Sequence, residues 1–191
     1  MDETIRPYDI HDDIARVMIP ARKLKAMVRR IAAKIDADYP DPQQRLLLLS
    51  ILKGSVVFMG DLMKAIRRPV EIDFMKVSSY GSGTVSSGSV NILLDLHRRD
   101  MEELDIVVIE DIIDSGKTMK YLTQYLKNKG ARSIRVASLL DKPARREVDF
   151  HADYIGCEIE DEFVVGYGLD YNEKYRALPY VGILKPEVYS H

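Results

Sequence analysis

The chain has 191 residues, of which 46% are hydrophobic and 30% charged, with a formal net charge of −2. This is enough apolar content for one packed domain and too much for a disordered chain. The near-neutral balance gives no electrostatic reason to expect a nucleic-acid partner, and no apolar run approaches the roughly 20 residues that span a bilayer.

Elements read in chain order begin with a helix near Pro20, whose apolar positions Leu24, Met27, Val28, Ile31 and Ile35 recur at helical spacing. Tyr39-Pro40-Asp41-Pro42 ends it. Leu46–Leu52 is a continuous apolar run that predicts a strand buried on both faces, followed after Gly54 by a helix through Phe58, Leu62 and Ile66. A strand over Val70–Val77 leads into Ser78–Ser89, where nine of twelve residues are serine or glycine. Such a segment cannot pack a core and reads as a mobile loop, with Val90–Leu94 as a returning strand. Ile106–Ile109, a turn over Asp111–Gly116, a helix carrying Leu122 and Leu126 and capped near Gly130, then Ile134–Leu140 make a strand–helix–strand unit. The fold class expected is α/β, a mostly parallel central sheet flanked by helices. Beyond Pro143, short strands near Tyr154–Ile159, Phe163–Val165 and Tyr180–Leu184 read as a small separate flap. Cys157 lies in one of them and reads as a buried structural thiol. As a lone cysteine it excludes an intrachain disulfide. With a polar Met1–Arg6 start lacking an apolar signal core, the expected location is cytoplasmic.

In open parallel sheets, ligands bind where strands finish. At such a point stand Glu110 and Asp111, then Asp114, then Ser115-Gly116-Lys117-Thr118 opening a helix. Unpaired N–H groups at a helix start suit a phosphate, Gly116 lets the backbone approach it, and the hydroxyls of Ser115 and Thr118 add donors. A triphosphate loop needs a glycine five positions before Gly116, and Asp111 stands there. A carboxylate at that place repels a triphosphate but hydrogen-bonds sugar hydroxyls, so the pattern asks for a ribose and one phosphate close together. The plainer alternative is a helix cap by Asp114 or Ser115 with the other charges solvated.

The run Val108–Thr118 resembles the phosphoribosyl diphosphate signature of type I phosphoribosyltransferases, and Asp111-Ile112-Ile113-Asp114 is similar to the hypoxanthine–guanine branch. Leu52-Lys53-Gly54-Ser55, Ser78-Ser79-Tyr80-Gly81, Asp141-Lys142-Pro143 and the segment Phe163–Glu173 match in order, so the resemblance covers about Arg45 to Val181. It implies that fold, with a core over about 20–142, a lid over about 78–89 and a hood over about 143–191 joined by N-terminal residues. It implies transfer of the 5-phosphoribosyl group to a 6-oxopurine, with Mg²⁺ required, and a homodimer or homotetramer.

The resemblance also implies roles. Glu110 and Asp111 hold the ribose hydroxyls, Asp114 lies near N7 as general base or to stabilise a proton there, and Ser115, Gly116, Lys117 and Thr118 hold the 5-phosphate. Lys53 and Gly54 meet the diphosphate through a peptide bond that can be cis in the family, and Arg176 reaches the same group. Lys142 donates to the 6-oxo oxygen, Phe163 stacks on the base, and Val164 offers backbone bonds to its edge. Asp170 binds magnesium beside the base, with Glu110 and Asp111 at the same metal. Ser79 and Tyr80 cover the site. Read without the resemblance, Lys53 and Lys142 are surface lysines, Phe163 is a core ring, and Ser78–Ser89 is a surface loop. His11, His97, His151 and His191 have no metal-ligand spacing. A regulator that senses phosphoribosyl diphosphate and binds RNA is the competing reading, disfavoured by the slightly acidic charge and by Lys142, Phe163 and Val164. A non-catalytic sugar-phosphate binder is a third, disfavoured by Asp114 and Asp170.

Overall fold

A computed structural model describes residues 11–79 and 90–190. Most of the expected lid, Tyr80 included, lies outside these residues, as does His191. The central sheet has six strands in the order β4-β3-β2-β5-β6-β7: β2 (Arg45–Leu52), β3 (Glu71–Ser79), β4 (Val90–Leu94), β5 (Leu104–Ile113), β6 (Ser133–Asp141) and β7 (Tyr154–Glu158). Every neighbouring pair is parallel except β3 with the returning β4.

The apolar runs of β2 and β5 are explained by two covered faces. Leu46, Leu48, Val107 and Ile109 pack under α1 (Ala21–Asp38) and α2 (Val56–Ala65). Their alternates Leu47, Leu49, Ile106 and Val108 pack under α3 (Lys117–Asn128). Gly130 follows the C-cap residue Lys129 with φ +92, so the expected helix stop stands one residue past the cap.

Three expectations are corrected. β5 does not stop at Ile109. It stays paired with β6 as far as Ile112↔Leu140 and Ile113↔Asp141, so Glu110 and Asp111 are strand residues and only Asp114–Gly116 form the turn. The strand at Tyr154 is no part of the flap: its residues pair in parallel with β6 and make the sheet's edge. The flap is a three-stranded antiparallel sheet, β1-β9-β8, of β1 (Ile14–Ile19), β8 (Val164–Val165) and β9 (Val181–Leu184). Its first strand, β1, carries a mixed pattern that sequence periodicity did not reveal. One face of this small sheet, with Val164, Val181 and Ile183, joins the main core. The other gathers Ile14, Val165, Tyr180 and Leu184 against Tyr171 and Tyr189, the latter from the short α4 (Pro186–Tyr189). No helix among the described residues is long and apolar enough to cross a membrane. Cys157 is half-buried, and burial pushes its thiol pKa up, which suits a structural residue better than a nucleophile.

Candidate active site

The candidate residues form two groups at the carboxyl ends of adjacent parallel strands. The first lies where β2 ends. The Leu52–Lys53 peptide is cis. Lys53 Nζ donates to both carboxylate oxygens of Glu173 at 3.0 Å. Arg176 binds the same carboxylate at 3.3 Å and Asp170 at 2.8 Å, and donates to the Gly168 carbonyl at 2.8 Å. The Glu173 N–H donates to Asp170 at 2.9 Å. Glu173 thus ties together Lys53, Arg176 and Asp170. The sequence reading gave it no role. It sits in an acidic-basic turn that looks solvated, and only the fold shows which cations it meets.

The strand end of β5 presses against this group. A Cβ on Gly54 would stand 1.7 Å from Asp111 Oδ2, and one on Gly168 would stand 2.0 Å from the Gly54 carbonyl oxygen. Three segments therefore meet with no room for a side chain at either glycine. Burial pushes the Asp111 carboxyl up to about 6, aided by the nearby Asp170. The Asp111 and Ile112 backbone amides and Arg176 oppose the rise. Burial, with the Asp111 charge beside it, raises Glu110 well above the ordinary carboxylate range. Glu110 Oε2 is buried and has no hydrogen-bond partner. Arg176 Nε is also buried and unpartnered. Such groups carry a desolvation cost until a ligand meets them.

The second group lies where β5 and β6 end. Asp114 is exposed, and its carbonyl accepts from Arg146 at 2.5 Å. Gly116, the N-cap residue of α3, has φ +79 and no side chain of its own to cap the helix, while Ser115 Oγ accepts a long bond from the first helical N–H. The Lys117 N–H lies 3.4 Å from Ser115 Oγ. The Lys117 ammonium turns away to Glu147, so only its backbone remains for the loop. Thr118, half-buried, stands in the first turn. A helix start with the positive end of its dipole free is an anion site.

Lys142 follows β6. Its N–H donates to the Ile113 carbonyl at 2.9 Å, which fixes it beside the β5 turn. Far from being a surface lysine, it is only 7% exposed. Its Nζ stands 3.8 Å from Asp114 Oδ1 and 3.7 Å from Asp161 Oδ1. Asp161, in an acidic turn, was also without a role in the sequence reading. Phe163 is 36% exposed, so it is not a core ring. It stacks on Tyr189 at 4.6 Å and meets Tyr171 edge-on at 5.5 Å. Val164 is buried and paired with Ile183. Ser79 ends β3.

Among the described residues, no group of three or more His, Cys, Asp or Glu is set to hold a metal. Glu110, Asp111 and Asp170 do not form a ready ligand trio, since Asp170 is engaged by Arg176 and Glu173. The arrangement fits a magnesium ion that takes most of its oxygens from a phosphate ligand and water. A cavity of about 640 Å³ between Arg29, Asp36, Tyr39 and Arg68 lies at the opposite end of the strands and contains none of these residues.

A parallel sheet with a helix start, a cation pair and two desolvated carboxylates at its carboxyl edge has the chemistry that suits a sugar phosphate. Residues 19–172 match the phosphoribosyl transferase domain, and the chain belongs to that family. It is 49% identical over 178 residues to the hypoxanthine-guanine phosphoribosyltransferase of Bacillus subtilis, covering 93% of this chain and 97% of that one. It is 49% identical over 181 residues, 95% of this chain, to the bifunctional protein TilS/HprT of Listeria monocytogenes, of whose length it spans only 28%. A crystal structure of a hypoxanthine phosphoribosyltransferase from Staphylococcus aureus superposes with a TM-score of 0.89 at 46% identity, covering 95% of this chain and 97% of that one. The architecture is the type I phosphoribosyltransferase fold.

Proposed function

We propose that the protein transfers the 5-phosphoribosyl group from phosphoribosyl diphosphate to a 6-oxopurine, hypoxanthine or guanine, forming IMP or GMP and diphosphate in purine salvage. The observation that carries this reading is the pair Lys142 and Asp114, 3.8 Å apart beside the start of α3. O6 and N7 lie on one edge of a purine, and a donor next to an acceptor matches them. Adenine presents an amino group where Lys142 needs an acceptor, which leaves two donors facing each other.

The residues then divide the substrate. Ser115–Thr118 hold the 5-phosphate by backbone amides and hydroxyls, and Glu110 and Asp111 accept from the ribose hydroxyls. Lys53 and Arg176 exchange Glu173 for the diphosphate and offset the charge that gathers there. The bond from ribose C1 to the diphosphate oxygen breaks, and the diphosphate leaves with the electron pair. The purine ring nitrogen bonds to C1, and the ring proton at N7 passes to Asp114. Bound magnesium supplies charge neutralisation on the diphosphate, with Asp170 as the fitting carboxylate. Phe163 stacks on the base and Val164 presents backbone groups to its edge. The core spans about 20–142 together with the edge strand β7, and the hood is β1, β8 and β9. A homodimer or homotetramer belongs to the same reading. The sequence features favour a cytoplasmic enzyme with no nucleic-acid or membrane partner.

The direct test mixes the protein, phosphoribosyl diphosphate and Mg²⁺ with hypoxanthine, guanine, xanthine or adenine in turn and follows nucleotide formation. Nucleotide from the 6-oxopurines and little from adenine is the expected result. No product with any purine sinks the proposal.

A further inference from the structure

We infer that Asp161 is a positioning residue for base recognition, holding the Lys142 ammonium between two carboxylates so that its N–H donors remain free for the 6-oxo oxygen. This rests on the function proposed above and adds a residue to it. Lys142 is 7% exposed, and its ammonium is hydrogen-bonded to neither neighbour: Asp114 lies at 3.8 Å and Asp161 at 3.7 Å. A lysine side chain that is only 9% exposed needs negative charge nearby. Asp114 alone would supply it by direct contact. Such a contact would draw the ammonium towards the N7 side of the base and away from O6.

Asp161 supplies the second pull. It stands on the connection between β7 and β8, half-exposed, and it shares its other oxygen with Arg145 at 3.3 Å. Arg145 is itself fixed to the lysine's own backbone, since its N–H donates to the Lys142 carbonyl at 3.0 Å. The Lys142 main chain is held from the other side by the Ile113 carbonyl, and the Ile159 N–H donates to the neighbouring Asp141 carbonyl at 2.8 Å. The β7–β8 connection is therefore built onto the end of β6, and Asp161 is not a free surface carboxylate. A further consequence follows from the reaction. When Asp114 takes the N7 proton it loses its charge, and Asp161 remains as the counter-ion of the lysine. The lysine then keeps its place on O6 while the proton moves.

The test is steady-state kinetics of Asp161→Asn and Asp161→Glu, each also placed in a Lys142→Met background, with hypoxanthine, adenine and phosphoribosyl diphosphate varied in turn. For Asp161→Asn the expected result is a roughly tenfold rise in KM for hypoxanthine and a several-fold fall in kcat. KM for phosphoribosyl diphosphate should stay unchanged, and the preference for hypoxanthine over adenine should be reduced. Asp161→Glu should restore most of the loss. In the Lys142→Met background Asp161→Asn should add almost nothing, since the two act as one unit. Unchanged hypoxanthine kinetics in Asp161→Asn, with an active wild type, overturn the inference and leave the proposed function standing. An equal effect in the presence and absence of Lys142 overturns it as well. A wild type that makes no nucleotide sinks both.

Discussion

The turns after β2 and β5 occupy equivalent places in neighbouring parallel strands, yet they offer opposite solutions to holding an anion. The β5 turn uses backbone. Gly116 turns with positive φ and has no side chain to cap the helix, and the Lys117 ammonium is drawn off to Glu147. The β2 turn uses side chains. Lys53 projects from a cis peptide and, before any substrate arrives, already holds an anion in the form of Glu173. A fixed amide nest suits the 5-phosphate, which stays with the sugar through the reaction. Exchangeable cations suit a diphosphate that must leave. The difference teaches that one sheet edge offers two chemistries for an anion, and on the proposed function the retained and the departing phosphates divide between them.

The comparison breaks most sharply at Asp114, which belongs to the β5 turn but not to its phosphate chemistry. Asp114→Asn should lower kcat by roughly 10²–10³-fold while phosphoribosyl diphosphate binding, followed by calorimetry, stays near wild type. An unchanged kcat removes Asp114 from the mechanism. Next comes the seam between the two turns. A methyl group at Gly54 drives the Asp111 carboxylate from its place, so Gly54→Ala should raise KM for phosphoribosyl diphosphate by at least roughly tenfold. A normal KM would show that the apposition is not used. Lys53→Met should weaken diphosphate binding by about tenfold and leave the affinity for ribose 5-phosphate intact. Equal losses for both ligands would erase the division between the turns.

The smallest effect concerns stability. Asp111 has a folded pKa of about 6 against an ordinary 3.8, so its ionised form is disfavoured by folding. The sign follows: below about pH 4 the group costs nothing, the cost grows through the window up to about 6, and it is full above. Asp111→Asn should therefore be more stable than wild type by on the order of 1–3 kcal/mol at pH 7.5 and by less at pH 5. The check is thermal unfolding at the two pH values. A gain independent of pH would mean that the carboxylate is not strained by burial.

Much of this was legible in the sequence because it depends on periodicity and local order. The double burial of β2 and β5 shows as unbroken apolar runs, and Glu110–Thr118 shows its chemistry in nine consecutive residues. What stayed hidden depends on residues far apart in the chain. The bond between Lys53 and Glu173 spans 120 residues, and Lys142 looks like a surface lysine until the β7–β8 connection covers it. β7 reads as one more short strand beyond Pro143, and only its pairing with β6 assigns it to the main sheet. β1 was missed because a six-residue strand with two exposed and two half-buried positions carries little periodic signal.

The pairing of β1 with β9 joins Ile14 to Leu184. The central sheet is built from strands lying between Arg45 and Glu158, with the pairing of β2 and β5 joining Arg45 to Leu104. The hood cannot form until a segment beginning at Val181 has been made and has returned to one beginning at Ile14. Closing that long loop is entropically expensive and comes late in any folding order set by contact separation. On contact separation alone the two sheets have different histories: the central sheet, with Asp114 and Lys142 at its strand ends, matures first, and the hood that carries Val164 acquires its shape last.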